Sequence, residues 1–211
     1  MSHRAEAADV RSGDAGVEGN SRLTGTVGVL LLILLFAEGL TILSIRGLIT
    51  LHLFIGLLLV PPVALKIVTT GYRFARYYTH AAPYVRRGPP HTILRLIGPV
   101  LIAMTAVLLG TGIWLIVVGP DHAGLILLAH KASFVIWFGL TAIHVLAHVR
   151  ETVVLAAKDV RRPDPARPVP GRGIRTSAVA LALVAGVALG AVVTPTATAW
   201  TTARANVEGH R

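Results

Sequence analysis

Five apolar runs, at 23–45, 48–68, 96–118, 125–149 and 177–194, decide what this chain can fold into. Each is close to the ~20 residues a helix needs to cross the hydrocarbon core of a bilayer. Lipid offers a backbone amide no hydrogen-bond partner, so such a run is either helical or part of a closed barrel. None of the runs alternates with period two, which excludes the barrel. Charged residues make up 14% of the chain, well below the ~25% of soluble domains. The expected class is an all-α polytopic membrane protein. Its parts are a disordered cytoplasmic tail at 1–22, a four-helix transmembrane bundle at 23–150, a basic Pro-rich cytoplasmic linker at 151–175, a fifth transmembrane helix at 176–196 and a short outer tail at 197–211.

The net charge of +10 is distributed by topology. The connection between the second and third runs carries Lys66, Arg73, Arg76, Arg86, Arg87 and Arg95 without an acid. The segment after the fourth run adds Arg150, Lys158, Arg161, Arg162, Arg167, Arg172 and Arg175. In a five-span chain these lie on the side of the N-terminal Arg4, Arg11 and Arg22, and the opposite side has only Arg46, Arg204 and Arg211. The positive-inside rule then puts the N-terminus in the cytoplasm and the C-terminus outside, across a plasma (inner) membrane. The basic side is matched to anionic lipid headgroups, and nucleic acid is not called for. The chain has no cysteine, which rules out disulfides, a catalytic thiol, iron–sulfur clusters and haem attached through Cys.

The polar residues inside the runs are few, and each is a candidate for function. The first run contains Glu38. The second contains His52 about one turn from its outer end, then Pro61 and Pro62 at an expected kink, and Lys66 at the inner boundary, where a lysine usually snorkels to the headgroups. The long inner connection interleaves Tyr72, Phe74, Tyr77, Tyr78 and Tyr84 with arginines, as interfacial anchors do; a docking surface for a redox partner or a quinone headgroup is the sharper reading. His80 and His91 there, and His122 in the outer turn GPDHAG, read as surface histidines. In the third run Gly98, Gly110 and Gly112 leave room for a neighbouring helix or a flat cofactor. Gly186 and Gly190 in the fifth form a GxxxG pattern, suited to packing on the bundle or to a homodimer.

The fourth run, LILLAHKASFVIWFGLTAIHVLAHVR, holds His130 and His144. Fourteen residues advance a helix by about 21 Å and return to nearly the same azimuth, so both rings face one way. The second and fourth spans run in the same direction, which puts His52 and His130 at one depth. Two imidazoles at one depth on two helices are the geometry for clamping a haem iron axially. Copper, zinc or non-haem iron would ask for a third ligand that is not evident. Arg46 and Lys131 lie near that depth and could neutralise propionates, and Glu38 could accept the outer N–H of His52 or His130. At the inner level His144 stands opposite Lys66. A second haem would need His144 with Lys66, with His80, or with one open position.

The spacing of His130 and His144 on one helix, with His52 at matching depth two helices away, resembles the b-type membrane cytochromes, namely the cytochrome b subunits of hydrogenases and formate dehydrogenases and the small quinone-linked cytochromes b. The resemblance covers 23–150. It implies a bis-histidine haem b, with a second at His144, and electron relay between the quinone pool and a peripheral redox subunit. Lys66 in place of a fourth ligand and the added fifth helix depart from that pattern. Two other readings stand beside it: a small transporter or proton conductor using Glu38, Lys66, His130 and His144, and a scaffold subunit without chemistry of its own.

Overall fold

The computed structural model describes residues 2–86, 88, 92–160, 169–200 and 202. Its elements are α1 (Ser2–Leu43), α2 (Ile45–Tyr78), α3 (Ala82–Arg86), α4 (Thr92–Val118), α5 (Gly124–Val160) and α6 (Arg172–Val193), with short 3-10 turns at Pro120–His122 and Thr194–Ala197. No strand occurs among the described residues. Five helices are long and apolar enough to span a membrane: Asp14–Leu43, Ile45–Tyr78, Leu96–Val118, Gly124–Lys158 and Arg172–Trp200. The chain is therefore an all-α multi-pass bundle with a fifth C-terminal span.

Two tight connections define what we call the upper end. Gly47 and Leu48 donate to Ser44 O between α1 and α2, and Gly119 turns with φ 71° between α4 and α5. At the lower end the helices overshoot the hydrocarbon. α2, with 34 residues, is about 51 Å long at 1.5 Å per residue, against a core of about 30 Å.

α1 is the central element, packed against α2 on one side and α5 on the other; α4 packs on α5 and α6 on α2. Val27 and Leu31 of α1 meet Ile55 and Leu59 of α2 in the buried core. Outside it, large apolar side chains such as Phe36, Leu43, Val117, Leu125 and Leu146 are exposed, an arrangement stable only where the solvent is itself apolar. Glycine sets the closest approaches. A Cβ on Gly190 would lie 2.8 Å from Phe54 Cδ2, and one on Gly186 would collide with the Leu58 carbonyl, so the GxxxG stripe of α6 packs onto α2 within the chain.

Several expectations change. Residues 2–22, read as a disordered tail, form the first half of α1: their alanines and mixed charges suit a helix, and no proline interrupts them. Val17 and Ser21 are buried, and Asn20 Nδ2 donates to Thr69 O of α2. The linker read at 151–175 is shorter, because α5 continues to Val160 through the helix-favouring ETVVLAAK and α6 begins at Arg172; residues 161–168 lie outside the described set. The non-helical backbone in α2 falls at Leu48 (φ −118°, ψ 18°) rather than at Pro61 or Pro62. Below Lys66 the chain is not an open loop but three further turns of α2 followed by α3. There Tyr84 is buried against Tyr72, ring centres 5.9 Å apart, and burial together with the neighbouring phenol raises its ionisation above the usual tyrosine range. His91, Arg87 and most of the outer tail at 197–211 lie outside the described residues.

Candidate functional site

His52 of α2 and His130 of α5 face each other near the upper end, ring centres 6.5 Å apart and planes at 82°. Depth, fixed by position along each helix, and azimuth, fixed by packing, agree here. Glu38 enters from α1: its Oε1 lies 2.9 Å from His52 Nδ1. Thr41, one turn on along α1, brings Oγ1 to 2.9 Å from the same Nδ1 while donating its proton to Glu38 O at 2.6 Å. With the hydroxyl proton committed, the consistent assignment has His52 Nδ1–H as the donor and leaves a lone pair on Nε2.

His130 is held in the same sense from another helix. Its Nδ1 lies 3.1 Å from Leu108 O of α4 and 3.1 Å from Thr111 Oγ1, whose proton goes to Val107 O or Leu108 O. A carbonyl only accepts, so His130 also carries its proton on Nδ1 and presents a bare Nε2. Gly112 makes room for the ring, since a Cβ there would lie 3.2 Å from His130 Cε1.

Two imidazoles with Nδ1 tied to a carboxylate or carbonyl and Nε2 free are the outer-shell arrangement of ligating histidines. Metal–imidazole bonds of about 2.0–2.1 Å, plus about 1.2 Å from nitrogen to ring centre, place two trans-ligating rings about 6.5 Å apart. The two ring centres lie at that separation, with their planes at 82°. Among the described residues no group of three or more His, Cys, Asp or Glu side chains could hold a metal. A two-ligand axial site suits an iron that brings its own four equatorial nitrogens, so the donor set fits haem. Beside His130 an apolar groove of about 480 Å³ is lined by Gly110, Thr111, Trp114, Leu125, Ile126 and Ala129.

The other expected site residues are placed differently. Arg46 and Lys131 are exposed, and no hydrogen bond or ion pair joins either to the histidine pair among the described residues. His144 pairs with His148 one turn further along its own helix, ring centres 4.9 Å apart, rather than with a ligand on α2. Lys66 does not snorkel outward: its Nζ donates to Thr24 O of α1 at 2.7 Å. His80 is exposed, with φ 57°, past the end of α2. Thr41, Leu108 and Thr111 were not foreseen. Thr41 was legible as the residue one turn after Glu38 on the same face; the other two depend on how α4 packs against α5. Comparison of the chain with protein-family models, with curated proteins and with solved structures finds no match in any of the three.

Proposed function

We propose that this chain is an integral membrane b-type cytochrome that binds one haem b between His52 and His130 and relays electrons between the quinone pool and a peripheral redox partner. The observation that carries the reading is the opposed imidazole pair at 6.5 Å with both Nδ1 atoms engaged. When bound, the haem supplies one-electron redox chemistry.

The rest is the work of the protein. His52 and His130 would ligate through Nε2. Glu38 fixes the orientation of His52 through a charge-assisted bond worth about 1.5–3 kcal/mol, and its negative charge favours the more positive, oxidised state of the site. Leu108 O and Thr111 do the same for His130 without a formal charge, so the two ligands differ in basicity. Arg46 and Lys131 at the rim are the cations within reach of propionates, and the lower end, rich in arginine and tyrosine, is the cytoplasmic face for a partner.

The test is the reduced-minus-oxidised visible spectrum of protein purified after expression with ample haem. A low-spin α-band and a pyridine-haemochrome ratio of one haem per chain are expected; a protein free of any haem band overturns the reading.

A further inference from the structure

A second feature of α5 lies below the histidine pair. Residues 130, 133, 137, 141, 144, 148 and 151 are His, Ser, Trp, Thr, His, His and Glu. At 100° per residue they fall within an arc of about 80°, so every turn of this face carries a hydrogen-bonding side chain. A lipid-facing helix gains nothing from such a stripe, and it points into the bundle, where Ser133 is 5% exposed.

The lower four residues form a ladder. Glu151, with 59% of its side chain exposed, lies at the aqueous end; His148 Nδ1 is 3.9 Å from Glu151 Oε2, and the His148 and His144 ring centres are 4.9 Å apart. Thr141 follows on the same face, with its Oγ1 buried and without a hydrogen-bond partner among the described residues. A buried hydroxyl without a partner costs about 1–3 kcal/mol, and bridging water is the usual remedy where the surroundings are polar. From α2, Lys66 acts electrostatically on both histidines and Arg73 on His148. From α1, Arg22 donates to Lys158 O at 3.3 Å, two turns beyond Glu151.

The ladder stops at Trp137. Its indole Nε1–H donates to Thr105 Oγ1 at 2.9 Å, and Thr105 donates in turn to Leu101 O at 2.7 Å. An indole N–H cannot accept a proton, and the one it holds is committed.

We propose that Thr141, His144, His148 and Glu151 form a water-accessible proton half-channel, open at the lower face and closed at mid-membrane by Trp137. A proton taken up by the Glu151 carboxylate passes to a ring nitrogen of His148, which releases the proton of its other nitrogen to His144. Only N–H and O–H bonds form and break, and one positive charge moves inward. The column admits protons from the lower side as far as His144 and, with Trp137 in place, does not pass them across. It does not depend on what His52 and His130 hold.

Because the chain has no cysteine, single cysteines read this out directly. Thr141→Cys and His144→Cys, reconstituted in vesicles of known orientation, should react with a small membrane-impermeant cationic methanethiosulfonate from the lower side only. Adding Trp137→Ala should let Thr141→Cys react from the upper side as well. Absence of lower-side reaction at both positions overturns the proposal, as does equal reaction from the two sides with Trp137 in place. In the unsubstituted protein, ring ¹⁵N shifts of His144 should follow the pH of the medium; shifts that stay fixed overturn it independently. Neither readout involves haem, so the outcome is separate from that of the cytochrome reading.

Discussion

α5 carries histidines at two levels, and their neighbours make them different sites. At the upper level His130 meets His52 of another helix, and each ring is oriented by a third party, Glu38 from α1 or Leu108 O from α4. At the lower level His144 meets His148, from its own helix, with Lys66 opposite. Two residues on one helix cannot ligate an iron from opposite faces of a macrocycle; two residues on facing helices can. Spacing along one helix sets the levels, and the facing helix decides what each level can hold.

Substitutions that separate the two levels give the largest effect. His52→Ala and His130→Ala should each bring haem content from one per chain to none by pyridine haemochrome, and His144→Ala should leave it at one. A large loss in His144→Ala would erase the distinction. Glu38→Gln keeps the shape but removes the charge behind His52, and should weaken haem affinity by about 10–100-fold in a haem titration of the apoprotein; Lys66→Met, at the lower level, should leave that titration unchanged.

Ring orientation gives a finer test. The two planes are at 82°, and near-perpendicular axial imidazoles give oxidised haem a highly anisotropic low-spin electron paramagnetic resonance signal dominated by one large g value. A rhombic signal would mean that the rings turn parallel on binding. Glycines supply the smallest contrast. In Gly28→Ala the new methyl meets Thr152 Cγ2 at 2.8 Å, a lower-level overpacking that should cost about 1–3 kcal/mol in unfolding experiments without moving the haem bands. Gly112→Ala, 3.2 Å from His130 Cε1, should instead shift the bands with little change in stability.

Depth was legible in the sequence because it is one-dimensional: apolar runs mark the spans, and counting from their ends put His52, His130 and Glu38 at one level. Azimuth and helix neighbours were not, since they depend on which surfaces pack. The position of α1 between α2 and α5 gave Glu38 to His52 and made the Thr24 carbonyl, not a headgroup, the partner of Lys66. Arg46 and Lys131 share the site's depth and are exposed, without a contact to the histidine pair among the described residues. The mixed composition of residues 2–22 looked like a solvated tail, although its alanines favour helix and its buried Val17 and Ser21 have α2 to pack on.

The seating of α6 also has a meaning in time. Gly186 and Gly190 lie on Leu58 and Phe54, and Phe54 is two residues from His52. During synthesis α2 emerges before α6, so this face of α2 is bare until α6 arrives. A nascent chain halted before α6 would lack the contacts on Leu58 and Phe54, and with them the brace on α2 beside the level of His52.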